Sequence, residues 1–184
     1  MQQETIELRR IQETDLERLM NWRMDPNISR YMFTDVQLTM EMQRAWFERY
    51  QNDNTQIRWV IWKNGIAIGS IYVMNIDWKN KNAEFGVFIA RKEGVSLPMI
   101  LSLHWNMYEY VFSHTDLNHL YAYNMQGNEA VTRMSVAHGC KVEGRLEQHI
   151  YKYGKFHDVN IVGITRDHWE EFKKTVEIEK YYVE

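Results

Sequence analysis

Apolar and polar positions alternate through "TIELRRI", residues 5–11, which predicts a first β-strand. In "TDLERLMNW" the apolar spacing changes: Leu16, Leu19 and Met20 share one helical face, with Thr14 and Glu17 at capping-box spacing. "SRYMFTDVQL" lacks either period and reads as a connecting loop, and "TMEMQRAWFERYQ" predicts a second helix with Thr39 as its N-cap. Two strand-like runs, "IRWVIW" and "IAIGSIYVMNI", flank Asn64-Gly65, the dipeptide suited to a type I′ hairpin turn. The polar turn "DWKNKN" then leads into a further strand, "AEFGVFIA". From Leu97 to Phe112 the chain is apolar nearly all round, the pattern of a helix buried between other elements. Pro98 falls in its first turn, where a missing N–H costs nothing. "HLYAYNM" predicts the next strand, and "NEAVTRMSVAHG" a helix from Asn128 as N-cap to Gly139 as C′ stop. "CKVEGRLEQHIYKYGKFHDVNIVGIT" reads as a long hairpin turning at Tyr153, Gly154 and Lys155. "RDHWEEFKK" reads as a helix capped by Asp167, and the tail "TVEIEKYYVE" is expected to be loosely held. The order β-α-α-β-β-β-α-β-α-β-β describes an α/β (α+β) chain without regular βαβ alternation. It fits one domain over residues 1–184, with a core over about 6–169 and residues 170–184 as a helix end and tail.

Composition narrows this picture only in places. At 184 residues, with 45% apolar and 26% charged residues, the chain can bury a core without covalent staples. A single cysteine, Cys140, excludes an internal disulfide framework, and seven scattered histidines without H-E-x-x-H spacing point to no metal site. A net charge of -3 gives no electrostatic reason to expect nucleic acid as the main partner. The opening "MQQETIELRR" has no apolar leader segment and no 18-residue apolar run occurs, so a soluble, cytoplasmic protein without a membrane partner is expected. Seven tryptophans and eleven tyrosines fill a core or line a ligand cleft; composition does not separate the two.

Two sets of motifs carry a resemblance. "NEAVTRMSVAHGCKVEGRL", followed by "GKFHDV", resembles the ribosomal-protein and spermidine branches of the GCN5-related N-acetyltransferase family, with Cys140 in place of the usual phenylalanine. "NWRMDPNISRYMFTD" and "NIDWKNKNAEFGVFI" look like the branch that acetylates a nucleotide-linked 4-amino-4,6-dideoxy sugar on the route to pseudaminic acid. The resemblance runs from Ile6 to about Trp169. It implies a single, mixed, mostly antiparallel twisted sheet flanked by helices, acetyl-CoA as cosubstrate and a small-molecule amine as acceptor, a UDP-linked 4-amino-4,6-dideoxy sugar being the main expectation. A homodimer is left open.

Acetyl transfer to an amine needs a pyrophosphate cradle, donors for a developing oxyanion, a base for the ammonium proton and a proton for the departing thiolate. The resemblance makes Glu84 the base, at the start of the strand that lies beside the thioester in this family; an ion pair with Lys79 or Lys81 is the structural alternative. Backbone N–H groups from Gly86 to Phe88 are the matching oxyanion donors. Where the amino-sugar enzymes carry an acidic tyrosine, this chain has Ser135, either a donor to the sulfur or an ordinary helix residue. The family cradle, Q/R-x-x-G-x-G/A, matches Arg91-x-x-Gly94-x-Ser96, because Ser96 makes a natural N-cap. A second register puts Pro98 and Ile100 at the glycine positions and removes an N–H. The cofactor set is therefore Phe88, Ile89, Arg91, Lys92, Gly94, Val95, Ser96 and Asn128. The acceptor set is Arg23 and Arg30 for nucleotide phosphates, and Met32, Phe33, Phe47, Phe88 and Tyr123 for an apolar sugar pocket, with core packing as the alternative for the aromatic residues. Two rival functions remain: a protein N-terminal or polyamine acetyltransferase, the latter favoured by a strongly acidic acceptor cleft, and a non-catalytic acyl-CoA-binding or interaction domain.

Overall fold

The computed structural model describes residues 4–184. The elements in chain order are β1 (Ile6–Arg10), α1 (Leu16–Met24), α2 (Pro26–Ser29), α3 (Met40–Tyr50), β2 (Ile57–Lys63), β3 (Ile66–Asp77), β4 (Asn82–Ile89), α4 (Leu97–His114), β5 (His119–Met125), α5 (Glu129–Ala137), β6 (Lys141–Lys152), β7 (Lys155–Thr165), α6 (Arg166–Phe172) and β8 (Tyr182–Val183). The strands form one eight-stranded sheet in the order β6-β7-β5-β4-β3-β2-β1-β8, antiparallel except at β4–β5 and β1–β8. The mixed, mostly antiparallel sheet expected from the sequence is what forms.

Side-chain alternation along the strands separates two cores. Trp59, Ile61, Ala83 and Phe85 face the layer of α4 and α6, where Leu103, Met107, Tyr108, Val111 and Trp169 are buried. Val60 and Ala67 face the other side, against Leu16 and Leu19 of α1 and Phe47 of α3. α4 is buried through most of its length, which is why it carries no polar stripe. Asn64-Gly65 (φ 50° and 77°) and Tyr153-Gly154 (φ 55° and 75°) make the two tight turns in left-handed backbone.

Three local expectations are corrected. The first capping box is Gln12 and Asp15, not Thr14 and Glu17: the Asp15 carboxylate accepts the Gln12 N–H at 2.9 Å. α6 is capped by Thr165, whose Oγ1 accepts the His168 N–H at 3.3 Å, so Asp167 lies inside the helix. The tail is held rather than loose. β8 pairs with Glu7 and Leu8, Asn106 of α4 donates to the Glu179 carbonyl at 2.7 Å and accepts the Tyr181 N–H at 2.9 Å, and Trp59 Nε1 donates to the Glu184 carbonyl at 2.9 Å. Among the described residues no helix is long and apolar enough to cross a membrane.

Candidate active site

β4 is the spine of the site. Along its β3 edge it is paired from Glu84 to Ile89, but on the β5 edge only from Asn82 to Glu84. Beyond that point β5 keeps its pairing with β7 on the far edge while its pairing with β4 ends, and the two parallel strands splay. The β5 edge of β4 from Phe85 to Ile89 is therefore left without a strand partner, open to an extended ligand that hydrogen-bonds as a strand does.

Beyond the splay lies the loop into α4. Ser96 is the N-cap, its Oγ accepting the Met99 N–H at 3.3 Å, and Gly94 sits at φ 67°. This supports the register Arg91-x-x-Gly94-x-Ser96. Lys63 Nζ donates to the Gly94 carbonyl and holds the loop against the sheet. The N–H groups of Ala90 and Arg91 are bonded to Ile68, and that of Val95 to Lys92, so Val95 offers no donor and instead packs on the core. Among the described residues, the N–H groups of Lys92, Glu93, Gly94, Ser96 and Leu97 find no acceptor. Free N–H groups at a helix start, with Arg91 and Lys92 beside them, suit a pyrophosphate. The residues present fit the phosphate end of coenzyme A despite Pro98.

Glu84, Gly86 and Phe88 line the other face of the same strand, towards α1 and α3. Glu84 does not pair with a lysine; Lys81 pairs with Asp116 at 3.0 Å. Its partner is Asn75, whose Nδ2 donates at 2.9 Å. The β3–β4 register breaks between Met74 and Asp77, and Asn75 takes a left-handed conformation, φ 52°. The bulge turns the amide onto the carboxylate. Burial raises the Glu84 pKa, opposed by the Asn75 bond and the charge of Arg58. Gly86 is required by close approach: a Cβ there would lie 2.5 Å from the Tyr72 hydroxyl. Tyr72 is itself held protonated by burial.

The expected acceptor residues divide between separate places. Phe33 meets Tyr123 with ring centroids 6.2 Å apart, and Tyr123 meets Tyr121, the cross-strand partner of Glu84. Arg23 is bonded to the residue that follows Phe33, Nη2 donating to the Thr34 hydroxyl at 2.6 Å and carbonyl at 3.0 Å. A cavity of about 190 Å³ opens between Arg23, Leu38, Gln43, Trp46, Arg58 and Phe88. Phe47, by contrast, is 9% exposed and belongs to the core behind the cavity, because it points from α3 into the sheet. Arg30 is not with Arg23 either. It lies on a separate surface groove with Tyr31 and Tyr153.

Ser135 is buried on α5, its hydroxyl donating to the Val131 carbonyl at 2.9 Å and accepting from Asn124 at 3.4 Å. That is the geometry of a helix residue bonded to its own preceding turn, and it leaves no free hydroxyl proton for a sulfur. Asn128 occupies the N-cap position without a side-chain cap bond; Glu129 Oε1 instead accepts the Gly127 N–H at 2.9 Å. Sequence reasoning missed Tyr72, Arg58, Trp46 and Asn75. The first three sit at strand or helix positions indistinguishable from core, and Asn75 needs the bulge to be seen.

The loop bearing Met32 and Phe33 is tied down by a buried lysine that sequence reasoning also passed over. Lys152 Nζ, at the tip of β6, donates to the carbonyls of Ser29 (2.9 Å) and Met32 (2.6 Å) and pairs with Asp35 (2.9 Å). Lys152→Met is expected to lower unfolding free energy by ~2–3 kcal/mol, because two carbonyls lose a charged donor. It should raise the acceptor KM and leave that of acetyl-CoA unchanged. Urea unfolding and two-substrate kinetics check both; equal shifts in the two KM values would exclude a loop-specific role.

A family model of the acetyltransferase (GNAT) domain matches residues 5–141. The chain belongs to this family. YdaF of Bacillus subtilis (strain 168), provisionally named a ribosomal N-acetyltransferase, is 28% identical over 107 residues, and the match spans 58% of each chain. The solved spermidine N-acetyltransferase from Vibrio cholerae, in complex with CoA and spermine, superimposes with a TM-score of 0.84 at 21% identity, over 90% of this chain and 98% of that one. The spermidine/spermine N-acetyltransferase SpeG from the same organism, in complex with manganese ions, gives 0.78 at 20% identity, over 94% and 98%. At such identities the likeness is one of fold.

Proposed function

We propose that the protein transfers an acetyl group from acetyl-CoA to a primary amine of a small molecule. The observation that carries this reading is the Glu84 carboxylate, desolvated and held by Asn75 on the strand whose other edge splays open towards the phosphate-binding loop. Acetyl-CoA supplies the thioester and is held by the free N–H groups of the 92–97 loop and the unpartnered edge of β4. Glu84 takes a proton from the incoming ammonium, directly or through a water, so that the neutral amine attacks. As the new C–N bond forms the C–S bond breaks; the second proton lost by the nitrogen passes through water to the departing thiolate, which leaves as free coenzyme A, and backbone N–H groups near Gly86 to Phe88 face the carbonyl oxygen. Phe33, Tyr121 and Tyr123 wall the acceptor side.

Two acceptor classes compete. The motifs around Arg23 and Met32 resemble enzymes of UDP-linked amino sugars, whereas the solved neighbours carry the names of polyamine acetyltransferases. The names of the neighbours favour the polyamine; fold alone does not choose between them. The direct experiment is a mass-spectrometric screen with acetyl-CoA and UDP-amino sugars, spermidine and N-terminal peptides. Acetylation of a small-molecule amine is the expected result. Transfer confined to peptides would overturn the small-molecule reading, and no transfer to any acceptor would favour a binding domain.

A further inference from the structure

The cavity between α1, α3 and the sheet, whose Arg58 is near enough to Glu84 for their charges to interact, has a charge pattern that bears on the acceptor. Two guanidinium groups line it, Arg23 from α1 and Arg58 from β2. Arg58 is packed between aromatic rings, its Cζ 4.7 Å from the centroid of Tyr72 and 5.8 Å from that of Trp46. Its polar contacts are both neutral: Nε donates to Gln56 Oε1, and Nη2 lies 3.5 Å from the Met74 sulfur. Arg23 uses Nη2 on Thr34, while its Nη1 is buried with no hydrogen-bond partner. Among the described residues neither guanidinium forms an ion pair. The nearby carboxylates, Asp53 and Glu84, act on Arg58 through their charge but touch neither guanidinium; they are hydrogen-bonded to Thr55 and Gln56 and to Asn75.

A partly buried cation with no carboxylate in contact is costly, and a buried N–H without an acceptor adds to that cost. Both costs fall when an oxyanion enters the cavity. A guanidinium presents its N–H groups in a fork that fits a carboxylate or a phosphate bidentately. A polyamine would instead bring further positive charge to two unpaired cations. The strongly acidic cleft that would favour a polyamine is absent among the cavity-lining residues, none of which is a carboxylate.

Resting on the acetyltransferase reading, we propose that Arg58 and Arg23 form an oxyanion subsite that binds a carboxylate or phosphate group carried by the amine acceptor. Arg58 thereby sets acceptor specificity, with Glu84 placed to deprotonate the amine of the same molecule.

Calorimetry on the 184-residue chain saturated with coenzyme A tests this, saturation keeping the probes off the cofactor's phosphate site. Inorganic pyrophosphate, UDP and acetate are titrated separately, and spermidine alongside. At least one anion is expected to bind, with Arg58→Gln weakening it at least tenfold while coenzyme A affinity stays the same. A response to pyrophosphate or UDP assigns the group as phosphate; a response to acetate alone assigns a carboxylate. Arg23→Gln is the second variant should Arg58→Gln not fold, and it is expected to weaken the same anion. The subsite is overturned if no anion binds the loaded protein, if the folded arginine variants bind as tightly as the parent, or if spermidine binds and all three anions do not. Failure of coenzyme A itself to bind would overturn the acetyltransferase reading, and the same anion titration of the free parent and Arg58→Gln chains would then judge the subsite separately.

Discussion

Glu84→Gln is expected to lower turnover at neutral pH by about 10²–10⁴-fold, the contribution of a positioned base to a proton transfer. Acetyl-CoA affinity should stay unchanged, because the carboxylate lies on the acceptor face of β4 and the 92–97 loop holds the phosphates. Stability should not fall either. Burial raises the Glu84 pKa, so the folded state disfavours the ionised form and the contribution to stability is lower above the folded pKa than below the unfolded one. Glutamine removes that charge and keeps an oxygen able to accept from Asn75. The pH profile gives a further test. Activity of the parent enzyme should rise as Glu84 loses its proton, and the deficit of the variant should shrink at high pH, where more of the amine is already neutral. Undiminished turnover at pH 7 would remove Glu84 from the mechanism; lost turnover together with a large drop in Tm would make it a structural residue.

The fold was legible because its signals are local. Strand alternation, Asn64-Gly65, Ser96 before Leu97-Pro98 and the all-round apolar helix each report their own geometry. The tail was misread although Val176 and Ile178 alternate with acidic residues. What holds it is the edge of β1, which pairs with Tyr182 and Val183, and the Asn106 side chain, neither of which its own residues announce. Asp167 and Thr165 are both good capping residues, and the choice between them depends on where β7 releases the chain.

Legibility of the site follows the same rule. Glu84, Gly94 and Ser96 stand at recognisable junctions. Arg58 reads as one cation in a hydrophobic strand, and only the register with β3 brings it to Tyr72. Phe47 and Phe33 are chemically identical, yet one is core and the other lies on the loop tied down by Lys152. Helix phase and a bond across more than a hundred residues decide this, and no short window of sequence contains either.

Between pH 7 and pH 5 the fold is expected to lose about 2 kcal/mol of unfolding free energy at His104 alone, by proton linkage. His104 of α4 is buried, with Nδ1 2.8 Å from the Ile100 carbonyl, and its ring stacks on His138 at a centroid distance of 3.9 Å. The groups facing this stack are Tyr108 and Cys140: the Tyr108 hydroxyl lies 2.8 Å from His138 Nδ1 and 3.3 Å from the Cys140 sulfur, and burial pushes the thiol up to about 12. None of them offers a negative charge at neutral pH. Burial therefore lowers the His104 pKa to about 4 from its ordinary 6.5, and His138 falls well below 6.5 through burial and the neighbouring imidazole. The unfolded chain takes up a proton near pH 6.5 and the folded chain does not, so the unfolded state binds more protons in this window and stability falls as the pH is lowered. His138 acts in the same direction. The carboxylates with lowered pKa values, such as Asp53 and Asp77, release their contribution only at lower pH. Urea unfolding of the parent and of His104→Gln at pH 7, 6 and 5 separates these groups. The variant should be less stable at pH 7, where the stack is lost, yet lose about 2 kcal/mol less on going to pH 5. Parallel losses in the two proteins would assign the acid sensitivity to other groups, because only a difference in slope reports a proton that the folded imidazole refuses.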